Sequence, residues 1–353
     1  MNKRFFALPL SLSAIIRHAL FYRYNYRNNF QLNCGSINNS MCEKEIQISS
    51  LSSNRRNAIL QVVAKSCDDL VNEHKRRFMY NSYQKSSRGF HFYPTLNRYK
   101  DVECYDRTRI RLKDHEYSYI HAEKIEESEC NYIVTQGPMS TTIKDFWLMC
   151  AEQETHCIVQ LCQFTENGEK QFKLVAKKVH PMRGVVWNVL EIKDNTNRLA
   201  TEETHEMCEV NEGKTYVDEN IHTINHILVP WWSKKRIPDD PKQTVQLSRW
   251  LENEIKNCGI VAICNDGAGR SATFAAISYV NSNFTIHGKM DLKTAIDKLK
   301  TERVPNAMRT AEEYLFLCAC LVYSAMIDIL LGYDLAEPFL LKYRDYVREH
   351  FRN

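Results

Sequence analysis

The stretch "GIVAICNDGAGRSAT" (259–273) constrains the fold more than any other part of this chain. Strand-like residues, "GIVAI" (259–263), run into a turn built on Gly267, Ala268 and Gly269, and an apolar helix follows from about residue 270. In an open sheet that order places the turn at the carboxyl end of a strand and the start of a helix, where ligands bind. A helix N-terminus offers unbonded N–H groups and a positive dipole end, and a glycine turn can aim several of them at one anion. Cys264 lies at the base of that cup, in a field that favours the thiolate. Arg270 carries a planar fork able to hold two phosphate oxygens, and Ser271 is placed to hydrogen-bond the sulfur. A thiolate beneath a cradled phosphate is a nucleophile for phosphoryl transfer. Against that chemistry stands Asp266, a negative charge where a phosphate dianion would sit. The turn alone leaves a second reading open, a buried cysteine on a strand before a surface turn.

Composition narrows the field. The 353 residues, 44% hydrophobic and 25% charged, suit one large globular domain or two small ones. A net charge of +4, with no zinc-finger spacing and no RNA-binding aromatic signature, argues against nucleic acid as a partner. The 13 cysteines are scattered with no C-x-x-C pair, so they read as reduced, mostly buried thiols of a cytosolic or nuclear protein. A cytoplasmic location is expected. The first 42 residues hold Lys3, Arg4, Arg17, Arg23 and Arg27 and no acid. Their apolar run "FFALPLSLSAII" (5–16) is too short to span a bilayer, and no later apolar run approaches the roughly 18 residues that a span requires, so no membrane span is expected. This tract fits a disordered extension or a targeting signal.

The chain divides into a basic extension with a Ser/Asn-rich linker (1–57), a mixed α/β domain (58–345) and a short tail (346–353). Apolar spacing predicts one amphipathic helix over 58–78, a polar, turn-rich stretch over 84–131, and strands at 156–164, 184–192 and 222–232. Helices are expected at 244–257, capped by Thr244, and at 291–303 and 310–331.

The turn resembles the signature loop of the phosphotyrosine-specific protein tyrosine phosphatases, HCSAGxGRTG, and further blocks resemble that family in the right order. They are "NRYKDVECYDRTRIRL" (97–112), "EYSYIHAEKI" (116–125), "YIVTQGPMSTTIKDFWLM" (132–149), "ENGEK" (166–170) and "RTAEEYLF" (309–316). The resemblance implies a highly twisted mixed sheet flanked by helices, phosphotyrosine-containing proteins as partners, and no metal or organic cofactor. It implies that Tyr99 grips the phosphotyrosine ring, that Asp101 holds the substrate backbone, and that Gln136, Gly137 and Pro138 support the site. It implies Cys264 as nucleophile and Arg270 as phosphate ligand, in a cradle of Gly267, Ala268, Gly269 and Ser271.

Several positions depart from the family pattern. Trp232 matches the Trp of its Trp-Pro-Asp loop, but Ser233 stands for Pro and Lys234 for the Asp general acid. That proton transfer is worth ~10²–10⁴ in rate, and a lysine with its ordinary pKa far above 7 is a poor donor. Asp239 and Asp240 follow Pro238 and would need a rebuilt loop to substitute. Ile263 replaces the His expected to support the thiolate, Asp266 replaces an Ala, and Asn265 a Ser, the mildest change. Arg309 replaces the Gln that positions the hydrolytic water, a residue suited to hold phosphate instead, and Glu313 replaces the second Gln. Asp266 should also raise the Cys264 pKa. The expectation is a catalytically impaired pseudophosphatase that binds phosphotyrosine proteins or scaffolds tyrosine-kinase signalling. Its rivals are an active phosphatase of reduced turnover through a Cys264 phosphoenzyme, and a scaffold whose pocket Asp266 blocks.

Overall fold

The computed structural model describes residues 53–78, 86–113, 115–125, 131–162, 173–193, 221–233, 237–255, 259–287, 292–302, 304 and 307–350. Seven strands form one mixed sheet: β1 (Ala122–Ile125), β2 (Asn131–Gln136), β3 (Thr155–Gln160), β4 (Lys173–Val179), β5 (Val186–Lys193), β6 (Ile221–Leu228) and β7 (Gly259–Cys264), in the spatial order β1-β2-β7-β3-β6-β5-β4. The inner strands β2, β7, β3 and β6 run parallel, while β1 and the β5–β4 pair add antiparallel borders. A strand covered on both faces reads as a continuous apolar run, and β7, buried from Ile260 to Cys264, is one. The mixed sheet with flanking helices is the expected fold class.

The strand pleat sorts β7 between two cores. Ile260, Ala262 and Cys264 face a large cluster shared with most of the helices, whereas Val261 and Ile263 face a smaller one with Phe146 and Trp147 of helix Ile143–Glu152. The helices in chain order are α1 (described over 53–63), α2 (Cys67–Phe78), α3 (Arg88–Phe92), α4 (Ile143–Glu152), α5 (Lys242–Glu254), α6 (Arg270–His287), α7 (Leu292–Glu302), α8 (Ala311–Ile327) and α9 (Tyr333–His350).

Several elements differ from the sequence expectation. The single helix expected over 58–78 is two, broken at 64–66, because Ser66 caps α2: its Oγ accepts the Asp69 N–H (3.0 Å) while Asp69 Oδ2 accepts the Ser66 N–H (3.1 Å). Helix α1 also takes up the last residues of the stretch expected as linker. Helix α5 starts at Lys242, so Thr244 is not its cap; it is buried inside the helix and its hydroxyl accepts from Trp231 Nε1 at 3.3 Å. The strand expected over 156–164 ends at Gln160 and the one over 222–232 at Leu228, ahead of Pro230. The polar stretch 84–131 contains β1, a short strand whose Glu123 and Lys124 hide it from a hydrophobicity reading. Helix α8 stops at Ile327, and α9, not expected, runs beyond residue 345. The eight described cysteines are free and buried. No helix among the described residues is long and apolar enough to cross a membrane.

One charged clamp ties the helical side together. Asp328, just past α8, receives Arg55 Nη1 from α1 at 2.8 Å and Arg249 Nη2 from α5 at 2.7 Å, both on Oδ2. Ser324 Oγ accepts from the same two arginines at 3.1 and 2.8 Å. Burial would raise the Asp328 carboxyl, but Arg249 and Arg55 outweigh it and hold it below the usual range. Removing one partner of a largely buried pair strands the other charges. Asp328→Ala is expected to lose about 3 kcal/mol of stability, read from the shift in urea midpoint, and unchanged stability would show that the clamp contributes nothing net.

Candidate functional site

Strand β7 delivers Cys264 to the mouth of the turn, and its even register turns the thiol toward α6. The turn needs glycine at residue 267: its φ is +77°, and a Cβ there would stand 2.7 Å from the Gln136 backbone nitrogen. The loop is sewn to the 136–138 block by a bridge between Gln136 and Asp266. That block carries the segment expected to recognise the ring. Gln136 Oε1 accepts the Arg98 N–H at 2.9 Å and its Nε2 donates to Leu96 O at 2.8 Å. Arg98 in turn donates to Gly137 O and Pro138 O, each at 3.0 Å. These contacts of the Arg98 and Gln136 side chains with main chain tie to the 136–138 block the segment that carries Tyr99, half-buried, and Asp101, exposed.

The cradle holds an anion of its own. Asp266 Oδ1 accepts the Ala268 and Gly269 N–H groups, each at 3.1 Å, and the Cys264 thiol at 3.1 Å. Burial alone would raise this carboxyl, but the thiol and the two N–H groups outweigh it and hold it below the usual carboxylate range. An ionised side chain thus takes the dipole end and the donors that a phosphate would use. Cys264 Sγ also meets Ser271 Oγ at 3.1 Å and the Gly267 N–H at 3.2 Å. Burial first, then the Asp266 charge, pushes the thiol up to about 12, against the opposing Ser271 bonds. The protonated thiol is thereby favoured over the thiolate, the nucleophilic form.

Arg270 opens α6, and its guanidinium faces protein acceptors: Nη1 donates to Leu161 O (2.6 Å) and Trp232 O (3.2 Å), and Nη2 to Asn265 Oδ1 (3.1 Å). Asn265, which looked the mildest change, is thus the side chain that engages the arginine expected to hold phosphate. Arg309 bonds across the mouth to Asp101, Nη2 to Oδ2 at 2.8 Å, so the two residues expected to hold ligand hold each other. Ile263 lies on the sheet face opposite Cys264 and is buried there with Val261 and Ile133. The lost histidine is thus a core position in this chain, and its replacement does not touch the thiol.

Glu313 has a double placement that the sequence concealed. It completes a capping box with Thr310 at the start of α8, and its Oε1 fills the space where a Cβ on Gly269 would go. The T-x-x-E spacing of that box was present in "RTAEEYLF", but read against the family it was only a changed Gln. Burial first, and then the Asp266 charge, raises its carboxyl to about 7, against the Thr310 N–H and Arg309.

Trp232 is buried against Phe316, ring centroids 4.8 Å apart. Lys234, with Lys235 and Arg236, lies outside the described residues, as does "ENGEK". The acids that follow are committed elsewhere: Asp239 pairs with Arg348 of α9 at 2.8 Å, and Asp240 Oδ1 accepts the Lys242 N–H at 2.9 Å at the start of α5. Neither carboxylate is aimed at the cradle. No cluster fit for a metal ion exists among the described residues.

Residues 93–323 match the family model described as protein-tyrosine phosphatase. The chain is 28% identical over 241 residues to receptor-type tyrosine-protein phosphatase epsilon of Homo sapiens, covering 65% of this chain and 33% of that protein. It is 29% identical over 190 residues to tyrosine-protein phosphatase non-receptor type 2 of Homo sapiens, covering 51% and 44%. To tyrosine-protein phosphatase non-receptor type 18 of Mus musculus it is 28% identical over 231 residues, covering 63% and 50%. The chain thus spans between a third and a half of the length of these relatives.

The raised Glu313 carboxyl gives stability a definite pH dependence. Its folded-state pKa of about 7 exceeds the unfolded value, so its contribution is fully present below pH 4.5 and is lost as pH rises through 7. Glu313→Gln keeps the cap and removes the ionisation. Relative to this variant, the wild type should lose on the order of 1–3 kcal/mol between pH 5 and pH 8, measured by urea unfolding at each pH. A constant difference across that window would contradict the assignment.

Proposed function

The chain belongs to the protein-tyrosine phosphatase family, and from that premise we propose that it is a pseudophosphatase, a phosphotyrosine-binding or scaffolding domain without efficient turnover. One observation carries this reading: the Asp266 carboxylate sits on the N–H groups of the cradle. Hydrolysis in this family requires an ionised thiol, an empty anion site, a proton donor for the leaving oxygen and a group that orients water. Here the thiol stays protonated beside Asp266, and a dianion must displace a carboxylate already held by two backbone donors. Lys234 stands at the acid position, and Arg309 is paired with Asp101 instead of orienting water. The ligands on this reading are phosphotyrosine-containing proteins of the cytoplasm. The folded module on this reading takes in α1 and α9 and is wider than the 58–345 expected, behind a basic extension whose role is separate from the site.

A second reading, a scaffold with no phosphotyrosine ligand, draws support from the same carboxylate together with the three protein acceptors on Arg270. Phosphotyrosine-peptide titrations separate the two. Binding by the wild type that Arg270→Met abolishes supports the recognition module, and no binding supports the scaffold.

Asp266→Ala should bind inorganic phosphate at least tenfold more tightly than the wild type, because the competing anion is gone, as read by calorimetry. Wild-type turnover of a phosphotyrosine peptide that Cys264→Ser eliminates would overturn the pseudophosphatase assignment.

A further inference from the structure

The six exposed large apolar side chains among the described residues are unevenly spread. Phe92 and Val186 stand apart, while Ile329, Tyr333, Leu335 and Leu341 all belong to the α8–α9 turn and the first half of α9. Ile329 is 68% exposed, and its φ is +59°. Just past a helix C-terminus that left-handed geometry is the usual place of glycine or asparagine, and a β-branched residue there is strained. The turn itself gains nothing from this isoleucine, since glycine would end the helix with less strain. Along α9, Leu335, Pro338 and Leu341 follow at three-residue steps on the solvent side, whereas Ala336, Phe339 and Tyr343 are buried. The only charged residues between 328 and 341 are acids: Asp328, Asp334 and Glu337. Asp328 is clamped by Arg55 and Arg249, which leaves Asp334 and Glu337 to border the apolar face.

We propose that this face is a docking surface for the chain's own apolar run "FFALPLSLSAII" (5–16), with Ile329 as its anchor. The chain joins the fold beside the patch: α1 is described from residue 53, and its Arg55 is bonded at 2.8 Å to Asp328, the neighbour of Ile329. The stretch 17–52 between the run and α1 would reach on the order of 120 Å at full extension, so its length sets no limit. The charges are complementary. Lys3, Arg4 and Arg17 bracket the run and no acid precedes Glu43, while the face carries acids and no cation. Burying apolar side chains on both partners supplies the attraction, and the charges fix the orientation. Other occupants fit less well. A second copy pairing through this face would set Asp334 and Glu337 against the same acids, and an anionic lipid surface would be repelled by them. A separate protein lacks the effective concentration, on the order of millimolar, that a tether confers. The inference goes beyond the reading of the cradle and does not depend on whether phosphotyrosine binds there.

The test introduces photoreactive p-benzoylphenylalanine in place of leucine at exposed residue 335 of the full-length chain, followed by irradiation and peptide mass spectrometry. Residue 341, also exposed, serves in the same way should the first variant fail to fold. The expected product joins the probe to residues 5–16 of the same molecule. Its yield should not change on dilution, and mixtures of ¹⁵N-labelled and unlabelled chains should give no mixed product. Ile329→Gly removes the anchor while easing the turn, and should lower the yield by at least about threefold. Phe5→Ser with Phe6→Ser should do the same without altering α9, and Asp334→Lys with Glu337→Lys should lower it by about threefold through charge alone. The proposal is overturned by the absence of a product with residues 5–16, by products formed only between labelled and unlabelled chains, or by capture of lipid from phosphatidylserine vesicles in place of the run. A yield that is unchanged in both Ile329→Gly and the Phe5, Phe6 double variant overturns it as well.

Discussion

The contact on which the rest of the site depends is that of the Asp266 carboxylate with the N–H groups of Ala268 and Gly269. A helix start that ends a parallel strand concentrates donors and positive potential at one point, and the strongest nearby anion takes them. In this chain the anion comes from the loop itself. Burial raises the Cys264 thiol and the Glu313 carboxyl first, and that one charge adds to both. Intramolecular occupation also has an advantage over any diffusing ligand, because the competing group is tethered two residues from the sulfur.

The conflict at the loop was legible in the residues because strand, turn and helix fix where position 266 must lie. The face carrying Cys264 follows from alternation along "GIVAIC", and the same alternation puts Ile263 on the other face. A reading position by position against a family motif misses that point, since a motif records neighbours in the chain and not sides of a sheet. The partners of Arg270 were less accessible: Leu161, Trp232 and Asn265 come from three segments joined only by folding. Helix α9 was missed because Gly332 and Pro338 look like stops, yet Pro338 sits in the second turn of a helix that begins at Tyr333. Without α9, Arg348 is absent, and the fate of Asp239 could not be read.

Self-occlusion here is layered. Asp266 takes the donors at the base, Asn265 and two carbonyls take the guanidinium at the side, and Asp101 with Arg309 bridges the rim. The layers differ in strength. The rim pair is exposed and exchanges with solvent at little cost, whereas the base is held by three hydrogen bonds on one carboxylate oxygen. A visitor to this surface therefore meets a loose outer contact before a firm inner one.

The clamp at Asp328 bears on what counts as the unit of this protein. Residues that carry the family match end at 323, yet Arg55 from far upstream is fastened just beyond that point, and α9 lies against α8 and α2 on the same side. The first and last described helices both contact the α8 region, the helix whose start carries Glu313. Excision of the family-matched segment alone would expose the apolar flank of α8 to water. The borders drawn by resemblance and those drawn by packing are thus different, and the chemistry of the loop belongs to the larger of the two.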